Sequence, residues 1–258
     1  MLHSINRFLS GMTMYQAVMR FLIGTAVLAV ILSIADRIPF NPEDLIATLA
    51  VAIGASGLTQ ALITRVFKRT ANRESWLITA LILGLIVGPS PLPDIWLPLS
   101  LASAAAIASK FFLTWNKRHI FNPAALGVVC MTIVLGSGSS WWVGSLPFTV
   151  LTAIGGLLIA PKIRRVKSVL IFVVVYLTGL TLSNGSMLGV EASIGLLKSL
   201  LFDSPLLFFA TVMLIEPATS PTGQRLRQYY AGLVGLGALT IQTLWPAIPY
   251  SLELALLT

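Results

Sequence analysis

KRHIFNPAALG (residues 117–127) places a basic stretch directly before an apolar segment, with Asn122 and Pro123 at the boundary. MLIEPATSPTG (residues 213–223) repeats this arrangement further along the chain, with Glu216 in the place of the asparagine. An otherwise apolar chain therefore twice sets a polar side chain directly before a proline. Both stretches predict helices that are broken or started by proline, near residues 122 and 216.

The local structure of these motifs follows from the chemistry of proline. Proline fixes φ and lacks an amide proton, so it suits the first position of a helix, and it drives the preceding residue out of the helical region. Asn122 is therefore predicted to cap a helix that begins at Pro123. Ser220-Pro221 predicts a second helix start of the same form, and Glu216 is expected to end the helix before it.

The composition predicts a membrane protein. Of the 258 residues, 56% are hydrophobic and only 10% are charged, and the mean hydropathy is +0.89. Soluble domains carry about 25% charged residues, so this chain has too few polar residues to cover a surface that faces water. No stretch is polar enough for a separate soluble domain. The sequence predicts an all-α polytopic membrane protein that forms a single integral membrane domain, residues 1–258.

Apolar runs between charged or Gly/Pro-rich breaks predict nine transmembrane helices, and a tenth if Pro246 and Pro249 divide the last run. Asp203-Ser204-Pro205 is expected to break the eighth run into a surface helix and a short membrane helix. The predicted spans lie near residues 18–35, 44–64, 76–88, 96–113, 122–136, 141–160, 167–183, 191–215 and 228–251.

The net charge of +8 is interpreted as a topology signal, because the basic residues lie in short loops between apolar runs. Nucleic-acid binding is not predicted. A cytoplasmic N-terminus puts all Lys and Arg residues except Arg37 and Lys198 on the cytoplasmic side. These cytoplasmic residues are Arg7, Arg20, Arg65, Lys68, Arg69, Arg73, Lys110, Lys117, Arg118, Lys162, Arg164, Arg165, Lys167, Arg225 and Arg227.

The same count puts both proline motifs on the cytoplasmic face, where they are expected to form one composite site. Helix starts offer free N–H groups and partial positive charge, and an ionisable residue near membrane depth is a candidate functional residue. A helix cap, or an ion pair with Arg118, Arg225 or Arg227, explains Glu216 equally well. Motifs on one face disfavour the two-sided pore of a water channel, although a re-entrant eighth segment would keep that interpretation open.

Three ordered elements resemble the membrane subunits that carry flavin in two redox pumps, the sodium-translocating NADH:quinone oxidoreductase and the Rnf ferredoxin:NAD oxidoreductase. FNPAALG (121–127) resembles the family element N-x-F-N-P-A-x-x-G. WVGSLPFTVLTAIGGL (142–157) resembles G-S-x-G-E-x-S-x-L-A-x-L-I-G-G, and IEPATSPTG (215–223) resembles A-T-D-P-x-T-S-P-x-T. The resemblance covers roughly residues 110–235, whereas residues 1–109 match in hydropathy only.

The sequence departs from the family at several positions. Glu216 replaces the family's Asp, and Pro147 or Phe148 replaces its Glu. The motif D-x-x-S-G-A-T, through whose threonine the family attaches FMN, is missing; the nearest string, SGLT (56–59), lies inside the second predicted span without the Asp. The resemblance therefore implies flavin, either FMN or riboflavin, that is bound without a covalent link.

By this resemblance the chain is expected to be a membrane electron-transfer component in a bacterial inner membrane or an equivalent energy-transducing membrane. Its expected partners are the lipid bilayer and a redox subunit or soluble reductase. No catalytic residue is predicted, and with only His3 and His119 no multi-histidine haem or metal site is expected. The residues implied in flavin binding are Asn116, Arg118, Asn122, Glu216, Thr219, Ser220, Thr222 and Arg225.

Two other functions remain open at this point. Proline-broken helices that line a cavity are how transporters form binding sites, so a small-solute or ion channel or transporter on the same scaffold is one alternative. A structural or assembly subunit of a larger membrane complex, in which both motifs serve only the fold, is the other.

Overall fold

The computed structural model describes residues 11–68, 74–116, 118–185, 190–246, 248 and 250–257. Apart from one hairpin of two-residue antiparallel strands, all regular structure in these ranges is helical, so the all-α prediction is confirmed. The strands are β1 (Thr114–Trp115) and β2 (Arg118–His119). Several residues used in the sequence predictions lie outside the described ranges: Arg7, Arg69, Arg73, Lys117 and Pro249.

The helices follow one another with short connections. A π-helical segment, Phe209–Met213, continues α9 directly, and a short 3-10 turn, Trp142–Gly144, precedes α6. The helices are α1 (Met14–Ile34), α2 (Pro42–Phe67), α3 (Ser75–Ile86), α4 (Leu92–Phe112), α5 (Pro123–Leu135), α6 (Leu146–Lys162), α7 (Val166–Gly185), α8 (Val190–Phe202), α9 (Leu206–Phe208), α10 (Gln224–Leu244) and α11 (Ser251–Leu257).

Among the described residues, four helices are long and apolar enough to cross a membrane, namely α1, α2, α4 and α7. A fifth span results if α8 and the segment 206–213, which meet at a bend of 50°, are counted together. Helices α3, α5 and α6 are apolar but have only 12, 13 and 17 residues, and a bilayer core needs about 20. Length and composition thus indicate a membrane protein without confirming nine or ten spans.

The outer surface of the helices is apolar. Ile133 on α5, Leu157 on α6 and Leu182 on α7 are 71%, 74% and 73% exposed. Exposed side chains of this size are unfavourable in water. They are compatible with contact between this surface and the acyl chains of a lipid bilayer.

The predicted breaks near proline are only partly correct. Helix α5 begins at Pro123 with Asn122 as its N-cap, as predicted. The predicted break at Asp203-Ser204-Pro205 is also confirmed, because α8 ends at Phe202 and α9 starts at Leu206. The predicted helix start at Pro221 is wrong. Residues 216–220 form a hydrogen-bonded turn instead, and α10 begins at Gln224 with Gly223 as its N-cap.

The helix ends gather at two opposite ends of the bundle. At one end, which we call the basic end, Lys110 Nζ donates to the Ser75 carbonyl at 2.7 Å and Arg118 donates to the Ser220 carbonyl. At the other, Trp142 Nε1 donates to the Val87 carbonyl at 3.0 Å. Helices α3 and α5 run from the first end to the second. Which end faces the cytoplasm stays a prediction.

Two glycines allow the central helices to approach each other closely. A Cβ atom at Gly127 of α5 would lie 2.4 Å from the Ala102 carbonyl oxygen of α4. A Cβ atom at Gly156 of α6 would lie 2.5 Å from Cγ2 of Thr211 in the π-helical segment. Both distances are too short for a real side chain, so glycine at these positions is required for the packing that brings the two proline motifs together.

Candidate functional site

The two proline motifs meet through the side chain of Asn122. Its Nδ2 donates to Glu216 Oε2 at 2.9 Å and to the Met213 carbonyl at 3.4 Å. Its Oδ1 accepts from the Ala125 amide at 3.0 Å, which is the N-cap hydrogen bond of α5. Asn122 is only 2% exposed. One buried amide therefore joins the start of α5 to the end of the π-helical segment.

The residues after Glu216 fold back onto it in a single turn. The Glu216 carbonyl accepts from the Ser220 hydroxyl at 2.6 Å and from the Ser220 amide at 3.0 Å. The Thr219 hydroxyl lies 3.4 Å from Glu216 Oε2 and donates to it. The carboxylate is partly buried and receives hydrogen bonds from both motifs. The sequence E-P-A-T-S thus builds one compact polar unit.

Basic side chains surround this unit. Arg118, on β2, donates to the carbonyls of Pro217, at 2.6 Å, and of Ser220. Arg165, which joins α6 to α7 and is 6% exposed, donates to the Ser220 hydroxyl. We call Arg118, Asn122, Arg165 and residues 216–220 the polar cluster. The charge pattern predicts only that Arg165 lies on the cytoplasmic side. The signal for its burial is its position in the short link between two apolar helices.

The electrostatics of the polar cluster follow from burial and from an excess of positive charge. Burial raises the pKa of the Glu216 carboxyl above its ordinary 4.5, while Lys110, the Thr219 hydroxyl and Arg165 act in the opposite direction. Burial lowers the pKa of Arg165 to about 10, helped by the positive charges of Arg227 and Arg118. Because this value is still well above neutral pH, Arg165 remains charged. The positive charges of Lys110 and Arg165 therefore both act on the single carboxyl group of Glu216.

The eight residues implied by the resemblance divide into two groups. Arg118, Asn122, Glu216, Thr219 and Ser220 lie together in the polar cluster. The remaining three do not join it: Asn116 is exposed at the turn of the β1–β2 hairpin, with φ of 48°, and Thr222 and Arg225 are exposed around the start of α10.

Two cavities near these residues differ greatly in size. The one beside Glu216 has a volume of about 30 Å³ and is lined mainly by apolar side chains, with Tyr15 and Thr211 among its polar ones. The other is an open cleft of about 560 Å³, lined by Lys167, Arg225 and their neighbours Gln224 and Gln228. Cofactor sites generally have volumes of about 300–1,000 Å³. The cleft lies in that range by volume but is an open surface groove with exposed walls, whereas the small cavity is too small for a flavin ring.

The cleft also has the right chemistry for an anionic cofactor. Lys167 and Arg225 supply positive charge, and two glutamine side chains supply amide donors and acceptors. Two residues of the cleft wall, Lys167 and Gly223, lie two and three residues along the chain from Arg165 and Ser220 of the polar cluster. The residues present thus fit a flavin phosphate or an electron-rich pyrimidine edge. Comparison with known protein families and with curated proteins finds no match for the chain.

Proposed function

We propose that the chain is a membrane electron-transfer component of the redox-pump flavin-subunit type. The observation that carries this proposal is the hydrogen bond between Asn122 and Glu216. It joins two motifs that are 94 residues apart in the sequence and that both resemble elements of the flavin subunits. Independent helix caps would have no need to share a buried contact, whereas a composite site requires one.

The proposed flavin, FMN or riboflavin bound without a covalent link, occupies the open cleft and not the small cavity beside Glu216. Arg225 and Lys167 would hold its phosphate or pyrimidine edge by charge-assisted hydrogen bonds. Gln224 and Gln228 would bind the polar edge of the ring. A bound flavin supplies transfer of one or two electrons, and the protein supplies its position and electrostatic environment.

The polar cluster would set that electrostatic environment. Arg118 and Arg165 are fixed by hydrogen bonds to residues 217–220 and carry positive charge at the same end of the bundle as the cleft. Unit charges at 4 Å interact by about 4 kcal/mol at an effective dielectric constant of about 20. Fixed cations near the cleft would therefore favour a reduced, negatively charged electron carrier over its neutral form.

The proposal includes the topology predicted from charge. Helices α1 to α7, the short segment 206–213 and α10 would make nine passes across a bacterial inner membrane or an equivalent one, with the basic end in the cytoplasm. A chain without soluble redox domains in its described residues would receive electrons from a separate reductase, which would approach the cleft from this end.

Flavin binding is the direct test. The protein is purified in mild detergent, its visible spectrum is recorded, and FMN and riboflavin are titrated against it by fluorescence quenching. Arg225→Ala is expected to weaken flavin binding about tenfold, since a hydrogen bond to a charged group contributes about 1.5–3 kcal/mol. Arg37→Ala is the matched control, because Arg37 is an exposed arginine that follows the last residue of α1, far from the cleft in the sequence. Absence of flavin after extraction and after titration would overturn the proposal.

A transporter is the second candidate, because the segment 206–213 is a short, buried helix with a proline on each side, Pro205 directly before it and Pro217 four residues after it. Phe208, Phe209 and Met213 on it are fully buried. Discontinuous helices of this kind form transport sites. Solute or ion flux into liposomes that Glu216→Gln abolishes, in a protein that binds no flavin, would favour this candidate.

A further inference from the structure

A third cavity lies at the end of the bundle opposite to the basic end. Its volume is about 210 Å³, and its walls include Trp141, Tyr176, Ser204, Gln242 and Glu253. None of these residues belongs to the polar cluster or to the proposed flavin cleft. Gln242 is exposed, so the cavity has a route to the surface.

Glu253 is the charged residue in this wall. It lies on α11 and is 0% exposed. Its Oε1 accepts from Trp141 Nε1 at 3.0 Å and from the Ser139 hydroxyl. Its Oε2 is buried and has no hydrogen-bond partner among the described residues. A buried carboxylate oxygen without a partner is costly, and a positively charged ligand in the adjoining cavity would remove that cost.

The remaining walls decide which kind of cation fits. The Tyr176 hydroxyl donates to Gln242 Oε1 at 2.7 Å, and the Ser204 hydroxyl donates to the Leu200 carbonyl at 2.5 Å. Few oxygen atoms are therefore free to replace the hydration shell of a metal ion, and calcium, for example, takes six to eight oxygen ligands. Aromatic side chains beside a carboxylate instead suit an organic cation, which gains from ring contacts as well as from charge.

We propose that this cavity binds a small organic ammonium ion, with the Glu253 carboxylate as its counter-ion. Oε2 of Glu253 accepts a hydrogen bond from the ammonium group. Trp141 and Tyr176 cover the apolar part of the ligand. The proposal is independent of flavin binding, because the two sites share no residue.

Isothermal titration calorimetry on the full chain in detergent tests this site. Ethanolammonium is the probe, ethylene glycol is its neutral analogue of similar size, and sodium chloride at the same concentration controls for salt. Ethanolammonium is expected to bind at least about tenfold more tightly than ethylene glycol, because a hydrogen bond to a charged group contributes about 1.5–3 kcal/mol. The proposal is overturned if ethylene glycol binds as tightly as ethanolammonium. It is also overturned if sodium chloride gives the same binding heat as ethanolammonium at the same concentration.

Two variants locate the binding. Glu253→Gln keeps an oxygen for Trp141 and Ser139 but removes the charge, and it is expected to weaken ethanolammonium binding at least about tenfold. Glu191→Gln, an exposed glutamate on α8, is the matched control and should bind like the original chain. Gln242→Glu adds a carboxylate at the exposed opening and should tighten binding even if Glu253→Gln fails to fold. Unchanged affinity in Glu253→Gln or in Gln242→Glu contradicts the proposal.

Discussion

Asn122 combines two roles that are usually divided between residues. Its Oδ1 caps α5, and its Nδ2 binds the Glu216 carboxylate and the Met213 carbonyl. The chain offers a natural comparison, because Asn41-Pro42 opens α2 with the same dipeptide. Asn41 is exposed and makes no capping hydrogen bond through its side chain. The contrast shows that the dipeptide sets the helix start, whereas the buried partners of Asn122 come from the tertiary structure.

Asn122→Ala is expected to lower the free energy of unfolding by about 2–4 kcal/mol. The change removes a cap, worth about 1 kcal/mol, and leaves the Glu216 carboxyl group with only the long hydrogen bond from Thr219, which costs about a further 1–3 kcal/mol. Thermal unfolding in detergent measures the loss. Asn41→Ala, as the matched control, should change stability by less than about 0.5 kcal/mol. Equal losses in both variants would mean that the contact between the motifs contributes nothing.

The burial of His119 predicts that the stability of the protein depends on pH. Its Nδ1 is buried without a hydrogen-bond partner among the described residues, and burial, together with the charge of Lys110, lowers the pKa of the imidazole from 6.5 to about 4. Between these two pH values the unfolded chain binds a proton that the folded chain does not. Stability should therefore fall as the pH drops from about 6.5 to about 4.

Unfolding midpoints in denaturant, measured at several pH values across this window, test the role of His119. In His119→Gln the part of the pH dependence that belongs to the imidazole should disappear, whereas changes below about pH 4 from carboxyl groups should remain. If the original chain and the variant show the same slope across the window, then His119 titrates normally in the folded protein.

Helices α4 and α5 form a close backbone contact that depends on a missing side chain. Gly127→Ala would put a methyl group 2.4 Å from the Ala102 carbonyl oxygen and 3.0 Å from Ala106 Cβ. We expect a loss of at least about 2 kcal/mol, because overpacking of a close backbone contact costs about 1–3 kcal/mol. Gly54→Ala in α2, which meets no atom within 4 Å, should instead stabilise by up to about 1 kcal/mol. Thermal unfolding of both variants decides the comparison.

Sequence patterns predict elements well where the cause is local. The start of α5 at Pro123 and the break before Leu206 follow from proline and its neighbours. The start of α10 does not, because the Glu216 carbonyl captures Ser220 in a turn and delays the helix to Gln224. Neither the π-helical segment nor the unpaired Oε2 of Glu253 has a signal in the local sequence. Both arise from packing between helices that are distant along the chain.

The two ends of the bundle differ in their content of basic residues. Fifteen basic residues are predicted for one side, and the hydrogen bonds of Lys110, Arg118 and Arg165 gather three of them at the basic end. The composition predicts the membrane environment, because so few charged residues cannot cover a soluble protein. The number of passes does not follow from composition, since α3 and α5 are shorter than a bilayer is thick.

Cysteine labelling tests the predicted topology of the whole molecule. Asn116→Cys lies at the basic end and Arg37→Cys lies beyond the opposite end of α1, both exposed. Each is made in a Cys130→Ser background, which removes the natural cysteine of the chain. A maleimide that cannot cross membranes should label position 116 only in inverted vesicles and position 37 only in right-side-out vesicles. Labelling of both positions from the same side of the membrane would contradict the predicted topology.

The hydrogen bond between Asn122 and Glu216 also constrains how the protein is made. Its partners are 94 residues apart, and synthesis proceeds at about 5–20 residues per second, so Asn122 waits roughly 5 to 20 seconds for Glu216 to emerge from the ribosome. During that interval the Nδ2 group of Asn122 lacks its native partner Glu216, so the contact between the two proline motifs cannot form. The final assembly of the membrane domain is therefore a late event, which begins only when the second proline motif has been translated.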